Sequence, residues 1–560
     1  LNWSPKLGDD HTFKALAGWN IEKQKYETLT IKREGFVTAS KPSFGLMNGT
    51  TTDPTVGGYI WSYVGAFFRL NYGYKGKYLV EVSGRYDGSS KFPTNSKWGF
   101  FPSASVAWRV SEEPWMKWSE EWLDNFKIRL SAGSMGNGNV DPYSYTSEMT
   151  VATASNIVLG GGLPSYTTVG STVPVSLTWE KSTTYDLGLD LDFLNNRLSF
   201  SGDYYRRYTT DMYTPSISLP SVYGTTSPKG NNAELRTTGW ELSLTWRDSF
   251  KLGGKPFDYS IKAMVWDNRT VVTKYENATR SLGTLKGYIQ NGGSPSDFYE
   301  GMELGEMWGY TVAGLFRDQA DIDSSATHDF TQASDKVTRP GQVKIADLDH
   351  NGNIDPGAFT ADDHGDLSII GNINPHYMFG VNLAANWNGI GLSVFLQGVM
   401  KRDWYPSPDS GYFWGKYARP FMWVLGIHNY TDDMYSKEKN NWDTAYWPRM
   451  TTYQSNSSYS WTKLLEIPNT RYKQNAAYLR VKNIQVDYTF PKALCQKIRL
   501  GGLKIYLSGE NLFTFTPLHK YAPNFDPEAL GYDTDFSSTA GDGYTYPVLK
   551  SVTLGVNITF

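Results

Sequence analysis

Oxygen-bearing side chains occupy every second position of one stretch of the chain. Residues 347–355 read Asp-Leu-Asp-His-Asn-Gly-Asn-Ile-Asp, and Gly352 permits a sharp turn in the middle of the series. The front of a calcium-binding loop has this pattern, because Ca²⁺ takes carboxylate and amide oxygens as ligands and the loop must fold back around the ion. The sequence therefore predicts a calcium site with a structural role.

The predicted calcium ligands share one face of this loop, and they are Asp347, Asp349, Asn351, Asn353 and Asp355. A bidentate Glu normally completes such a loop at its twelfth position, but position 358 is Ala. Asp362 and Asp363 are the candidates to replace it. The alternative is a solvated loop in which Asp and Asn side chains cap their own backbone.

A second candidate site is aromatic. The segment 401–475 is rich in Trp and Tyr, and its candidate contact residues are Trp404, Tyr412, Phe413, Trp414 and Trp423. The faces of Trp and Tyr stack on sugar rings, and they also bury well against a protein partner. A substrate platform, a partner interface and internal packing of the loop are the three roles that this composition allows.

Signatures of catalysis and of nucleic-acid binding are missing from the sequence. None of the seven His residues lies in an H-E-x-x-H arrangement, and no G-x-S-x-G elbow or phosphate-binding glycine loop occurs. The net charge of -3 gives no basic field for nucleic acid. A single cysteine, Cys495, cannot form an intramolecular disulfide. We expect a protein that is not an enzyme and does not bind nucleic acid.

Composition points instead to a large β-structure at a membrane. Aromatic residues make up 15% of the chain, with 20 Trp and 38 Tyr, and these residues favour membrane interfaces and sugar-binding surfaces. The mean hydropathy is -0.46 and no apolar run approaches the length of a membrane-spanning helix. The low mean hydropathy and the lack of a long apolar run are both compatible with a membrane β-barrel, whose strands carry polar residues at every second position.

The alternation is clearest in the last strand, where Val552, Leu554, Val556, Ile558 and Phe560 alternate with polar residues or glycine. Stretches of period two predict about fourteen strands along the chain. They cover residues 11–25, 60–74, 77–87, 99–110, 126–133, 185–193, 198–207, 240–246, 257–265, 379–387, 390–397, 484–490, 503–508 and 552–560.

The connections between these strands alternate between short turns and long loops. A transmembrane barrel has this asymmetry, with short periplasmic turns and long extracellular loops, whereas a soluble sandwich has no reason for it. The sequence therefore predicts an all-β, transmembrane antiparallel β-barrel with long extracellular loops. The three longest irregular segments, about 271–375, 403–475 and 516–548, fall on the extracellular side.

Seven stretches, in family order, resemble the SusC/RagA-like TonB-dependent outer-membrane transporters. They include Ser105-Val-Ala-Trp-Arg-Val-Ser-Glu-Glu-Pro-Trp-Met-Lys117, Leu177-Thr-Trp-Glu-Lys-Ser-Thr-Thr-Tyr-Asp-Leu-Gly-Leu-Asp190 and Gly509-Glu-Asn-Leu-Phe-Thr-Phe515, together with residues 127–137, 232–241, 341–349 and 477–484. The resemblance implies a barrel of about 22 strands around a plug domain. It also implies an amino-terminal segment that engages TonB and a SusD-like surface lipoprotein that acts as a lid.

The resemblance implies that residues 1–560 form the C-terminal part of one such barrel, with the plug and the first strands absent from this chain. The predicted function is active import of a nutrient, an oligosaccharide or a peptide, across the Gram-negative outer membrane. TonB would energise the import and the SusD-like lipoprotein would assist it. The alternatives are an outer-membrane barrel hydrolase and a secreted glycan-binding β-protein.

Overall fold

The structure is a computed structural model of the 560-residue chain. It describes all residues except 36, 37, 39–42, 53, 148, 155, 170–172, 174–176, 216–228, 283–297, 329–337, 407–412, 414–432, 450–467 and 531–546. Two compact units can be separated within it. Unit 1 comprises Leu1–Arg109, Arg129–Asp186 and Arg207–Glu234, and unit 2 comprises Val110–Ile128, Leu187–Arg206 and Leu235–Phe560.

A 15-stranded sheet contains most of the β-structure, and its strands follow one another in sequence order. Its strands are β1 (Asn2–Trp3), β2 (His11–Thr30), β3 (Thr55–Tyr74), β4 (Tyr78–Ser89), β5 (Trp98–Arg109), β6 (Leu123–Asn137), β7 (Glu180–Phe193), β8 (Leu198–Pro215), β9 (Lys229–Leu252), β10 (Lys255–Lys274), β11 (His376–Trp387), β12 (Ile390–Lys401), β13 (Tyr478–Thr489), β14 (Gly502–Phe515) and β15 (Ser551–Thr559). The ladders β1 to β5 and β10 to β15 are antiparallel.

The strands β2 to β15 confirm the fourteen predicted ones. The prediction was incomplete at the amino terminus, because β1 has only two residues and is too short to show any alternation. Several strands are also longer than predicted. For example, β9 has 24 residues where the sequence pattern indicated 240–246.

Unit 1 carries a ladder with one apolar and one polar face. In β4 the exposed residues Tyr78, Val80, Val82 and Tyr86 share one face, and cross-strand partners such as Leu70 and Val106 continue it. The opposite face is polar. Its side chains include those of Asn20, Arg69, Glu81, Ser83, Arg85 and Asp87. Two ion pairs lie on this face, Arg69–Glu81 at 3.5 Å and Arg85–Asp87 at 3.0 Å. A sheet between hydrocarbon and a polar lumen has this pattern on exposed strands.

Aromatic side chains bound the apolar face of β4 and β5 at both ends. Tyr78 lies opposite Trp108 at one end, and Tyr86 stacks on Trp98 at the other, with ring centroids 5.1 Å apart. The step from Tyr78 to Tyr86 spans about 26 Å along the strand at roughly 3.3 Å per residue, which corresponds to a height of about 20 Å for a strand tilted by roughly 40°. Membrane barrels have an apolar band about 25 Å tall between two aromatic girdles. The sheet thus has the dimensions of a bilayer-spanning wall.

Unit 2 repeats the two-faced pattern from β10 to β15. The β15 residues Leu554 and Val556 lie opposite Leu507 and Ile505 of β14, and all four are exposed. The other face is polar and includes an ion pair of 3.0 Å between Lys504 and Asp487. Burying such charges in a dry core would be unfavourable, so this face also fits a wet lumen.

The short connections predicted between strands include tight hairpin turns. Asn388 and Gly389 join β11 to β12 with φ values of 48° and 88°. Two positive φ values in a two-residue turn are typical of the type I′ hairpin, which Asn-Gly favours because neither residue is strained there. The connection between β5 and β6 contains two 3₁₀ helices, Val110–Glu112 and Pro114–Ser119.

The three longest connections of unit 2 pack into one hydrophobic cluster, the loop core. It draws buried residues from 282–367, 404–476 and 518–530. The short strand pairs in these connections are Glu306–Tyr310 with Leu367–Asn372, Val312–Leu315 with Val343–Ile345, and Asp403–Trp404 with Gln474–Asn475. In unit 1, Met149–Thr153 pairs with Ser165–Val169.

Helices are few and short in the described part of the chain. The α-helices Gln319–Asp323 and Lys492–Lys497 and the 3₁₀ helices Phe44–Leu46 and Pro517–Lys520 complete the described elements. None of the described helices has both the length and the apolar character needed to cross a bilayer.

Candidate functional site

Three carboxylates converge in the loop predicted to bind calcium. One oxygen from each of Asp347, Asp349 and Asp366 lies within 4.8 Å of the other two. Asp347 and Asp349 follow the short strand Val343–Ile345, and Asp366 immediately precedes the strand Leu367–Asn372. The two strand ends therefore fix the positions of these side chains at the edge of the loop core.

Backbone amides and one asparagine organise the loop around the carboxylates. The Asn351 side chain donates to Asp349 Oδ2 and to Asp355 Oδ2, each at 3.0 Å. Asn351 Oδ1 in turn accepts the Asn353 N–H at 2.7 Å. Asp355 Oδ1 accepts the Gly357 N–H at 2.8 Å. These bonds are the self-capping pattern that the sequence allowed, and they hold four of the five predicted ligands close together.

One oxygen of Asp347 differs from the others. Asp347 Oδ2 accepts the Gly352 N–H at 3.0 Å, whereas Oδ1 is buried and has no hydrogen-bond partner within the described residues. A buried carboxylate oxygen without a donor is unfavourable, because its lost hydration is not replaced. A bound cation would compensate for that loss. The carboxylate set thus fits a hard, oxygen-loving ion such as Ca²⁺.

Asp366 is the acid that the sequence prediction missed. Its side chain is fully buried and accepts backbone N–H groups from Leu348 at 2.6 Å and Asp355 at 2.9 Å. Burial raises the pKa of the Asp366 carboxyl above its ordinary value, the two backbone donors oppose that shift, and the charges of Asp347 and Asp349 add to it. A cation in the cluster would relieve this destabilisation of the ionised carboxylate.

The chain reverses direction to bring Asp366 into place. Gly357 and Gly365 both have positive φ, at 58° and 52°. A Cβ on Gly365 would lie 2.5 Å from the Gly357 nitrogen, so only glycine allows this close approach. No ligand spacing in the sequence points to position 366. The suggested substitute Asp362 instead pairs with Arg280, and Asp363 lies in a turn with Thr360.

The aromatic candidates fall into two groups. Trp404 and Phe413 are 7% and 0% exposed, and their rings pack edge to face at 6.3 Å inside the loop core. These two side chains pack internally in the structure, which is one of the three roles the composition allowed. Tyr412, Trp414 and Trp423 lie outside the described residues, so their predicted role in substrate or partner contact stays a prediction.

A buried charge cluster anchors the last loop to the strand wall. Arg480 of β13 is 3% exposed, and its guanidinium donates to Asp526, to Glu528 and to Thr514 Oγ1, the last at 2.9 Å. Lys482 adds a 2.6 Å contact to Glu528. Nothing in the sequence pattern marks this cluster, because its members lie on separate elements and Arg480 and Glu528 are 48 residues apart in the chain.

A sheet with an apolar, aromatic-bounded face and a polar face defines the wall of a membrane β-barrel. The chain belongs to the family described as TonB dependent receptor-like, beta-barrel, whose profile matches residues 1–362. Proteins of this family are outer-membrane β-barrels. The predicted resemblance and fold class are thereby confirmed.

Curated relatives agree with this assignment. TonB-dependent receptor P3 of Formosa agariphila is 28% identical over 98% of this chain and 51% of its own length. TonB-dependent receptor SusC of Bacteroides thetaiotaomicron is 25% identical over 89% of this chain and 44% of its own length. The chain thus spans about half the length of the curated relatives it matches. Both relatives are named as TonB-dependent receptors.

The RagAB peptide transporter is similar in structure. Its matched chain superimposes with a TM-score of 0.72 at 20% identity, covering all of this chain and 54% of the other. The RagAB peptide importer in the 'closed-closed' state gives a TM-score of 0.69. At this level of identity the match demonstrates the fold.

Proposed function

We propose that the protein containing this chain imports a nutrient across the Gram-negative outer membrane, energised by TonB. The observation that carries the proposal is the two-faced sheet, whose apolar face spans a bilayer-sized band while ion pairs such as Arg69–Glu81 line the other. A polar lumen is the route that a hydrophilic solute needs through hydrocarbon. Family membership supports the dependence on TonB.

The long connections belong on the extracellular side in this proposal, where they capture the solute. The loop core supports such a role because it gives these connections a packed interior, centred on fully buried rings such as Trp447 and Tyr472. Long loops in compact proteins are usually functional, and packed ones present a defined surface. The cargo is an oligosaccharide or a peptide.

A SusD-like lipoprotein is the proposed partner on these loops. Similarity to SusC supports this assignment. Apolar side chains also remain exposed on the described outer connections, with Leu348 41% and Ile369 53% exposed. Stable interfaces bury such apolar residues at their centre. The partner would close over the loops while TonB acts from the opposite side of the membrane.

Affinity purification from gently solubilised native membranes tests function and partner together. We expect an equimolar surface lipoprotein and a bound oligosaccharide or peptide, which mass spectrometry would identify. Replacing Tyr412, Trp414 and Trp423 by Ser should weaken the complex, because these are the aromatic candidates that remain for the interface, and should leave the loop core and barrel assembly intact, because Phe413 is retained. Recovery of the barrel alone, with uptake of solutes unimpaired, would contradict the proposal.

We further propose that calcium binds Asp347, Asp349 and Asp366, with Asn351, Asn353 and Asp355 completing or supporting the loop. The observation that favours an ion is that Asp347 Oδ1 is buried and has no hydrogen-bond partner among the residues that the structure describes. Extracellular calcium sites can bind as weakly as about 10⁻⁴–10⁻³ M and remain occupied. The ion would hold the loop between its two strands, and it would take no part in moving the solute.

Replacing Asp347 and Asp349 together by Asn should make the surrounding loop more sensitive to protease. The expected increase is about tenfold in millimolar calcium, since an ion at ten times its Kd stabilises the bound state by about 1.4 kcal/mol. A chelator should sensitise the parent protein equally and have no further effect on the variant. Asp362→Asn is the matched control, and it should respond to the chelator as the parent does. An identical chelator effect in the parent and in the double variant would count against the site.

A further inference from the structure

The connection between β5 and β6 presents three tryptophans to its surroundings. Trp115, Trp118 and Trp122 are 58%, 69% and 42% exposed, whereas Met116 and Ser119 of the same segment are buried. The exposed indoles form a surface on the order of 400 Å². Apolar patches of that size on a protein surface mark a contact with a partner or a membrane.

The segment lies on the lipid-facing side of the wall. Its buried residues Val110, Met116 and Leu123 pack against Leu191 and Phe193 of β7. Leu187, which lies four residues before Leu191 on the same face of β7, is half exposed. The opposite face of β7 is polar and carries Asp190, which accepts from Ser201 Oγ at 2.8 Å, and Asp192, which accepts from Asn125 at 3.1 Å.

The tryptophans continue that lipid-facing surface without a break. The Trp122 ring stacks on Phe193 with centroids 6.0 Å apart and planes 9° from parallel, and the Trp118 ring lies 5.8 Å from Trp122. The Leu194 N–H donates to the Trp122 carbonyl at 3.0 Å, which ties the segment to the short turn between β7 and β8. The three tryptophans therefore lie at the end of the sheet where the strands are joined by short turns.

The charges of the segment narrow the choice of lipid. Residues 111–122 contain four Glu and one Lys, and the charged side chains of Glu120, Glu121 and Lys117 are exposed. An anionic lipid headgroup would be repelled by each nearby carboxylate, most strongly at low ionic strength. Amine-bearing zwitterionic headgroups are complementary to carboxylates. Indole rings prefer the boundary between such headgroups and the acyl chains.

We propose that residues 110–122 form an interfacial anchor that inserts Trp115, Trp118 and Trp122 among zwitterionic aminophospholipids of the periplasmic leaflet. The inference rests on the proposed outer-membrane function, which places short turns in the periplasm. The anchor would fix the depth of the wall at its short-turn end, where the 3₁₀ helices lie along the membrane surface.

Quenching by brominated lipid tests the anchor in the full-length protein. Trp115, Trp118 and Trp122 are replaced together by Phe, and the protein is placed in phosphatidylcholine vesicles that contain brominated phosphatidylethanolamine or brominated phosphatidylglycerol at equal mole fraction. We expect the variant to lose part of the lipid-quenchable emission, and the lost part to respond more to the ethanolamine lipid. Trp179→Phe is the control for a ring that is 4% exposed, and it should lose none.

Two outcomes would overturn the anchor. One is that the emission lost in the triple variant is quenched by acrylamide and by neither lipid, as for a surface that faces water or a periplasmic protein. The other is equal or stronger quenching by phosphatidylglycerol. A separate Trp98→Phe variant reports on the sheet face itself. If lipid quenches the emission of Trp98 but not that of Trp115, Trp118 and Trp122, the anchor is wrong and the placement of the sheet in the membrane stands. If lipid quenches neither, the placement of the sheet in the membrane is wrong.

Discussion

Replacing Arg480 by Met should destabilise the outer loops by about 3–5 kcal/mol, since removing one partner leaves buried opposite charges without compensation. Asp526 and Glu528 would both lose their guanidinium donor, and Asp526 is only 8% exposed in its side chain. Methionine keeps the length and apolar bulk of the stem, so packing loss is small. Protease susceptibility of the segment around residues 517–530, measured against urea concentration, reports the change.

Arg69→Met is the matched control for this substitution. Its ion pair with Glu81 has side chains that are 57% and 39% exposed, so the expected change is within about 1 kcal/mol. An equal effect of the two substitutions would contradict the role assigned to the buried cluster. So would an unchanged protease pattern in Arg480→Met.

Acid should reproduce part of the Arg480 effect. Burial alone would raise the pKa of Asp526, but the Glu528 backbone N–H and the Arg480 side chain outweigh burial and hold that pKa below its ordinary value. A carboxyl with a depressed folded-state pKa contributes stability above its unfolded pKa of about 4 and loses it as pH falls through the folded value. The difference between parent and Arg480→Met should therefore shrink below about pH 4.

Val82→Arg should destabilise the wall by about 2–4 kcal/mol, the penalty for a cation near the bilayer midplane. Val82 lies midway between the aromatic residues Tyr78 and Tyr86 on the lipid-facing side of β4 and is 41% exposed. Neither neighbouring strand offers a carboxylate on that face, since its partners are Leu70 and Ala104. Refolding into phospholipid vesicles over a denaturant series measures the change.

The adjacent Ser83 provides the control. Ser83→Arg places the same charge one residue away, on the polar face beside Glu81 and Arg85 and opposite Arg69. Because charges on this face are solvated, the substitution should change stability by less than about 1 kcal/mol. If the two arginine variants are equally stable, or if Ser83→Arg is the worse, the assignment of faces is wrong.

Much of the wall could be predicted because alternation is a local signal. The strand β15 and the Asn388–Gly389 turn needed no knowledge of distant residues, since a period of two and a positive φ preference are properties of short segments. Strand lengths were less predictable. β9 extends from Lys229 to Leu252, well beyond the alternating core, because strand pairing continues where no membrane imposes apolar residues.

The candidate sites were harder to predict because they join distant parts of the chain. The candidate calcium loop could be predicted as a run of spaced oxygens, but Asp366 enters it only through the backbone reversal at Gly357 and Gly365. For Trp404 the sequence left a substrate platform, a partner interface and internal packing open, and the packing of three connections buries it. Arg480 is one of many arginines until the fold places Asp526 against it.

Spin labels on the two faces of the sheet test the central claim, that one face meets lipid and the other a polar lumen. Single cysteines in a Cys495→Ser background are placed on the apolar face at Leu187, Leu189 and Val556, and on the polar face at Asp190 and Asn557. We predict that oxygen dissolved in the bilayer relaxes the first set, while a water-soluble nickel complex relaxes the second. The reverse pattern, or equal access of nickel to both sets, would contradict the account.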